Sequence, residues 1–288
     1  MVRKRSTWAV GSDQYVKKAN RGAHGGESPD LPLPAATGAD EERHELQIGD
    51  TGVCWGEVDY SPISKSGLDR ARRRFRSSLP DLIWNTAKLE GNNFTLPEVK
   101  TLLDGVTVGG QKTEDEQQIL ALGEAYNALD AMLRDGAFAP TKEVSDRLHT
   151  MVAIHEAIES GHFRGEGQVT GGGAVNLSDG GSVPGLEHGP GGADLRERFD
   201  RLSEHLGELE DPRERALVYF ASATRSHFYF DGNKRTARLM MTGMLISHGY
   251  ESVNIPYARR LEFNDALDGL FADDDATELL RFLATCAE

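Results

Sequence analysis

Residues 227–238 read HFYFDGNKRTAR and bring a histidine, a carboxylate, a glycine, an asparagine, a lysine and two arginines into one short stretch. These are the groups that phosphate chemistry needs together. A helix starting after Gly232 would present unpaired backbone N–H groups and the positive end of its dipole, which is a ready anion site. Lys234, Arg235 and Arg238 add fixed positive charge suited to a polyphosphate, and Asp231 can ligate a magnesium ion bridging phosphate oxygens. His227 can accept the proton of an attacking hydroxyl. Asp-Gly-Asn alone would suit any turn, and one histidine alone is more often structural. Neither reading accounts for the accompanying lysine and arginines.

Such a string works only if two helices hold it. Upstream, Asp211, Pro212 and Glu214 supply an N-cap, an N1 proline and a capping-box acid for a helix carrying Ala216, Leu217, Phe220, Ala221, Ala223 and Thr224. Downstream, residues 238–248 are nearly all apolar and stop at Gly249, as expected of a central buried helix. Thr113 with Glu116 reads as a capping box ahead of Ile119, Leu122, Tyr126, Leu129 and Leu133 at helical spacing. Another helix is expected from Thr141, with Val144, Leu148 and Met151 inward. Further helices are expected over 194–206, 259–271 and 276–286, the last capped by Asp275. Residues 161–192 are glycine-rich, which excludes helix and suits a hairpin or loop. They do not form a dinucleotide fingerprint, and no GxxxxGK[ST] loop occurs, so any ATP must be held another way.

Composition narrows the remaining classes. With 288 residues and 38% hydrophobic content the chain supports one main core with appendages. Lys and Arg number 32 against 46 Asp and Glu, and the resulting charge of −14 repels nucleic-acid backbones and anionic lipid. The basic run Arg70, Arg72, Arg73, Arg74 and Arg76 lacks interleaved aromatics and reads as a solvated helix face. Cys54 and Cys286 are far apart and form no CxxC pattern, so neither a disulfide framework nor structural zinc is expected, and a cytoplasmic setting fits. No apolar run approaches a membrane span, and the opening residues lack the apolar core of a signal peptide. Residues 1–57 are rich in Gly, Pro and mixed charge and are expected to be a flexible tail. An N-terminal helical segment (58–112) and a catalytic core (113–288) follow.

The string 227–238 resembles the signature of the Fic (Fic/Doc) family, His-x-Phe-x-Asp/Glu-Gly-Asn-Gly/Lys-Arg-x-x-Arg, and the resemblance extends over roughly residues 68–286. It implies an all-α fold: a helical bundle around a central motif helix, with a small β-hairpin flap. It also implies a protein adenylyltransferase that moves AMP from ATP, with Mg2+, onto a Ser, Thr or Tyr hydroxyl of a target protein. His227 is then the base, Asp231 the metal ligand, Gly232, Asn233 and Lys234 the anion hole, and Arg235 and Arg238 the binders of the outer phosphates. By the same analogy Phe163, Val169 and Val183 belong to the flap that docks the target. Residues 86–92 (TAKLEGN) resemble the family's inhibitory motif, so Thr86, Glu90 and Gly91 are expected to hold the enzyme in check, Glu90 by pairing with Arg238. The other reading makes Gly91 a plain helix cap with Glu90 exposed. Phe228 and Tyr229 depart from the family's common residues by changes in packing. Lys234 departs more consequentially, because the Doc branch with Asn-Lys-Arg transfers phosphate instead. Removal of AMP with Glu90 as base, self-modification, self-association, and a non-enzymatic RNA-binding or scaffold role are the other readings.

Overall fold

The computed structural model describes residues 38–177 and 180–287. The bundle is organised by one helix that is buried all round. α8 (Asn233–Ser247) hides Leu239, Met240, Met241, Met244, Leu245 and Ile246, so it can only be central. Gly243 allows Phe138 to lie against it, since a Cβ there would come within 2.2 Å of that ring. α7 (Pro212–Ser226) packs along α8 and is buried from Ala216 to Thr224. Its N-cap Asp211 accepts a hydrogen bond from Arg213 N, and Pro212 fills N1.

α4 (Thr113–Arg134) and α5 (Lys142–Ala153) lie on another side of α8, and α5 begins at the N-cap Thr141. Thr113 is not the cap expected of it. The helix starts one residue earlier with Lys112 as N-cap, and no side chain caps it. The capping box of this region belongs instead to α3 (Leu96–Leu103), where Glu98 accepts from the Thr95 backbone N–H at 2.7 Å. α2 (Leu68–Leu89) tolerates Pro80 because its later turns bury Leu82, Ile83 and Ala87. Its basic run is a salt-bridged outer face: Arg72 meets Asp130 at 2.9 Å and Arg74 meets Glu251 at 3.0 Å.

α6 (Ala193–Glu208), α9 (Arg260–Asp273) and α10 (Thr277–Ala284) complete the bundle. Asp275 accepts from Thr277 N at 2.8 Å, but the N-cap of α10 is Ala276, one residue later than the expected cap, and it makes no side-chain bond. The glycine-rich segment forms a two-stranded antiparallel hairpin, β1 (Val175–Asn176) against β2 (Ser182–Val183). The regular structure among the described residues is thus helical apart from this one hairpin. Among the described residues no helix is long and apolar enough to cross a membrane.

The expected tail is too long at its C-terminal end. Residues 1–37 lie outside the described residues, but α1 (Gly38–Thr51) is helical and Val53, Cys54 and Trp55 are core residues. The contacts that order this stretch are tertiary and largely polar, and apolar periodicity does not report them. Trp55 Nε1 donates to Glu214 at 2.8 Å, its backbone N–H donates to Gln47 Oε1 at 3.1 Å, and α1 packs on α6. Glu214 therefore serves Trp55 rather than closing a capping box.

Candidate active site

α7 ends at Ser226, and His227 turns the chain with φ 46° and ψ 59°, a left-handed conformation that a non-glycine residue holds only where its neighbours enforce it. They do so here. Phe228 and Tyr229 are fully buried, and Phe228 stacks on Phe163 at 4.7 Å between centroids. The His227 ring is left at the rim, edge-on to Phe271 at 5.7 Å, with Nδ1 3.2 Å from the Gly173 carbonyl oxygen. When Nδ1 donates to that carbonyl, Nε2 carries the lone pair.

Asn233 closes the loop. Its side chain accepts from Tyr229 N and donates to Tyr229 O, both at 2.8 Å. Gly232, at φ 74°, brings the chain to the start of α8, where a Cβ would press within 3.1 Å of Ala153. Thr236 N donates to Gly232 O at 2.9 Å, so the amides before it have no acceptor inside the helix. They mark the anion-accepting end of α8. Asp231 stands beside them, one carboxylate oxygen accepting from Gly232 N at 2.6 Å and facing Arg235 at 3.2 Å. Burial pushes its carboxyl up, against the opposing pull of Arg235.

Arg235, expected to bind outer phosphates, points into the protein. It is 2% exposed and is gripped bidentately by Glu156, at 2.8 and 2.7 Å, while Nη1 also donates to Val152 O at 3.2 Å. Burial opposes its charge, but Glu156 outweighs this and raises its pKa. The guanidinium is committed to holding α5 and Asp231.

Arg238 presents the opposite case. It is 4% exposed, and its Nε, Nη1 and Nη2 have no hydrogen-bond partner among the described residues. Its counter-charge is Glu90, whose Oε1 lies 3.6 Å from Nη1, while Glu90 Oε2 lies 3.6 Å from Lys234 Nζ. Burial lowers the Arg238 pKa and Glu90 opposes that shift. The glutamate side chain is 9% exposed. Gly91, at φ 89°, does end α2 as a left-handed cap, so the cap reading holds while its corollary of an exposed Glu90 does not. Thr86 Oγ1 lies 3.2 Å from Tyr126 OH and fixes the last turns of α2 against α4.

Of the expected flap residues, Val183 is on β2 opposite Val175, and Val169 lies ahead of the hairpin with its N–H donating to Glu159 at 3.3 Å. Phe163 is not on the flap. It is 0% exposed, packed between Phe228, Phe199 and Tyr229, so it cannot meet a target.

Three residues of the site carry no signal in the sequence. Glu156 is one and Arg164 another; the third is His149, which stacks on Tyr229 at 3.7 Å. Gly161 N donates to His149 Nδ1 at 2.8 Å, so Nε2–H donates to Asp231 O, also at 2.8 Å. Burial holds this histidine down to about 4 from an ordinary 6.5. Between those values the unfolded chain binds the extra proton, so the contribution is intact at pH 7 and is lost as the pH falls from about 6.5 toward 4. Urea unfolding should show the parent losing roughly 2 kcal/mol more than His149→Gln between pH 7 and pH 5. Equal losses in the two proteins would remove this role. The Tyr229 hydroxyl is satisfied by Ser145 and Asp146, each at 2.8 Å.

A model of the Fic/DOC family matches residues 146–245, the span that contains the hairpin, the turn and α8 as far as Leu245. The proteins named protein adenylyltransferase Fic in Drosophila erecta and Drosophila melanogaster are 31% identical to this chain over 222 residues, covering 75% of it and 42% of each relative. The chain belongs to the Fic/DOC family. It spans about two fifths of the length of those curated relatives. Fic-1 from C. elegans shares the fold at a TM-score of 0.62 and 20% identity, over 85% of this chain and 67% of that one. A Fic-domain signalling protein from Bacteroides thetaiotaomicron does so at 0.62 and 20%, over 79% and 88%. Within this Fic chain, His227, Asp231 and the N-terminal turn of α8 all fall inside the matched span, whereas Glu90 reaches them from the end of α2, outside it.

Proposed function

We propose that this chain transfers AMP from ATP to a Ser, Thr or Tyr hydroxyl of a protein, and that Glu90 restrains the reaction. The observation that carries this is the buried carboxylate of Glu90 facing Lys234 and Arg238 where α8 begins. Two cations and the amides of a helix start would otherwise meet an anionic ligand. A triphosphate supplies enough charge to match them. The names of the Drosophila relatives point to ATP as donor and protein as acceptor.

Each residue then has a task. The amides after Gly232 bind phosphate oxygens, and Arg238 and Lys234 bind the far end of the triphosphate once Glu90 is displaced. His227 Nε2 takes the hydroxyl proton as the oxygen bonds to the α-phosphorus in line, and the bond from that phosphorus to the bridging oxygen of pyrophosphate breaks. Asp231 would hold a magnesium ion, because its carboxylate is 42% exposed at the start of α8 beside the amides that would bind phosphate. The ion would neutralise phosphate charge. Glu90 inhibits by occupying the cations that would hold the outer phosphates, which leaves ATP bound unproductively. Burial of Cys54 and Cys286 as free thiols supports a reducing setting such as the cytoplasm.

Phosphate transfer from an inverted nucleotide is the second reading, and Lys234 favours it by adding charge beside the helix start. Its proximity to Glu90 supports AMP transfer instead, because it gives the lysine a partner without any nucleotide. Glu90→Gly protein incubated with ATP labelled at the α or the γ phosphate distinguishes the two. Label retained from the α position is expected. Retention from γ alone would replace the proposal with a phosphotransferase.

A further inference from the structure

Arg164 is 1% exposed, yet carbonyl oxygens and not a carboxylate hold its guanidinium. Nε donates to His227 O at 2.7 Å, Nη1 to Gly171 O at 3.2 Å and Gly172 O at 2.9 Å, and Nη2 to Leu186 O at 3.0 Å. The backbone N–H of the same residue donates to Phe228 O at 2.8 Å. These acceptors belong to three separate segments: the turn that carries the base, the arm entering the hairpin, and the arm leaving it. Burying a guanidinium without a paired anion is costly. Burial accordingly lowers its pKa, and only the more distant charge of Glu187 opposes this.

The surrounding glycines are shaped to this side chain. Gly171, Gly172 and Gly173 all have positive φ, and a Cβ on Gly173 would lie 2.6 Å from Arg164 Cζ. A Cβ on Gly185 would lie 2.3 Å from Gly172 O, so the two arms approach as closely as backbones can. The next carbonyl along, Gly173 O, is the one 3.2 Å from His227 Nδ1. The guanidinium therefore fixes both the backbone of the histidine and the acceptor that selects its tautomer.

We infer that Arg164 is the positioning residue that couples the hairpin to the base: it presents Gly173 O to His227 Nδ1, keeps the lone pair on Nε2, and sets the hairpin's distance from that nitrogen. This rests on the proposed role of His227 as base. Arg164 touches no reacting atom, so its loss should act on the chemical step and leave nucleotide binding at α8 alone.

The test uses Glu90→Gly protein as parent and adds Arg164→Lys or Gly173→Ala. Lysine keeps the charge but cannot fork to three segments. Gly173→Ala disturbs the same contact from the loop side, so it probes the clamp even if Arg164→Lys fails to fold. In either variant kcat for AMP transfer should fall on the order of 100-fold, while the KM for ATP and its calorimetric affinity stay within about twofold. The 15N spectrum of the His227 ring should change from one tautomer to a mixture. Full kcat in Arg164→Lys, parallel loss of kcat and ATP affinity, or an unchanged ring spectrum would each overturn the inference. If the parent transfers no AMP, the functional proposal fails, and the ring spectrum still decides whether the clamp exists.

Discussion

Glu90→Gly is expected to make the protein faster and less stable at once. Removing the carboxylate leaves the buried Arg238 and the partly buried Lys234 without the counter-charge they share, which costs on the order of 3 kcal/mol. If displacing the glutamate costs the parent a similar amount, only about 1% of it is competent at any moment, and the variant should transfer AMP about 100-fold faster. Its unfolding temperature without nucleotide should drop. Saturating ATP should restore more stability to the variant than to the parent, because phosphate replaces the missing anion only there. Thermal unfolding with and without ATP, run beside a transfer assay, reads all of this. A variant no faster than the parent would remove the inhibitory role of Glu90.

His227→Ala placed in that activated protein should cut transfer by about 10² to 10⁴, the usual contribution of a positioned base. ATP affinity should be unchanged, since the ring faces Gly173 and Phe271 and the cations lie on α8. Calorimetry with ATP and transfer from α-labelled ATP measure the two halves separately. Retention of transfer within about tenfold would show that the hydroxyl needs no base from this residue.

The turn is legible in the sequence because its chemistry is contiguous, and Glu90 because it sits in a short string of its own. The two arginines do not act alike, for a reason that helix geometry explains. Lys234 and Arg238 are four apart and share a face of α8, while Arg235 is four from Asp231 and turns toward Glu156. Counting helical positions separates the pair from the third. His149, Glu156 and Arg164 are beyond such reasoning. Each is an isolated residue in the sequence, and the part of the site that it holds lies 63 to 82 positions away. The same holds for Trp55, whose glutamate partner is 159 residues distant and whose own surroundings look like linker. Periodicity reports apolar faces, and it is silent on the polar partners of all four.

The divided grip on Glu90 makes its seat tolerant of sequence drift. A population of genes could lose the ammonium at 234 or the guanidinium at 238 and still keep the acid tethered by whichever survived. Only a change at the acid itself, or in how the end of α2 is seated, lets go of both at a stroke.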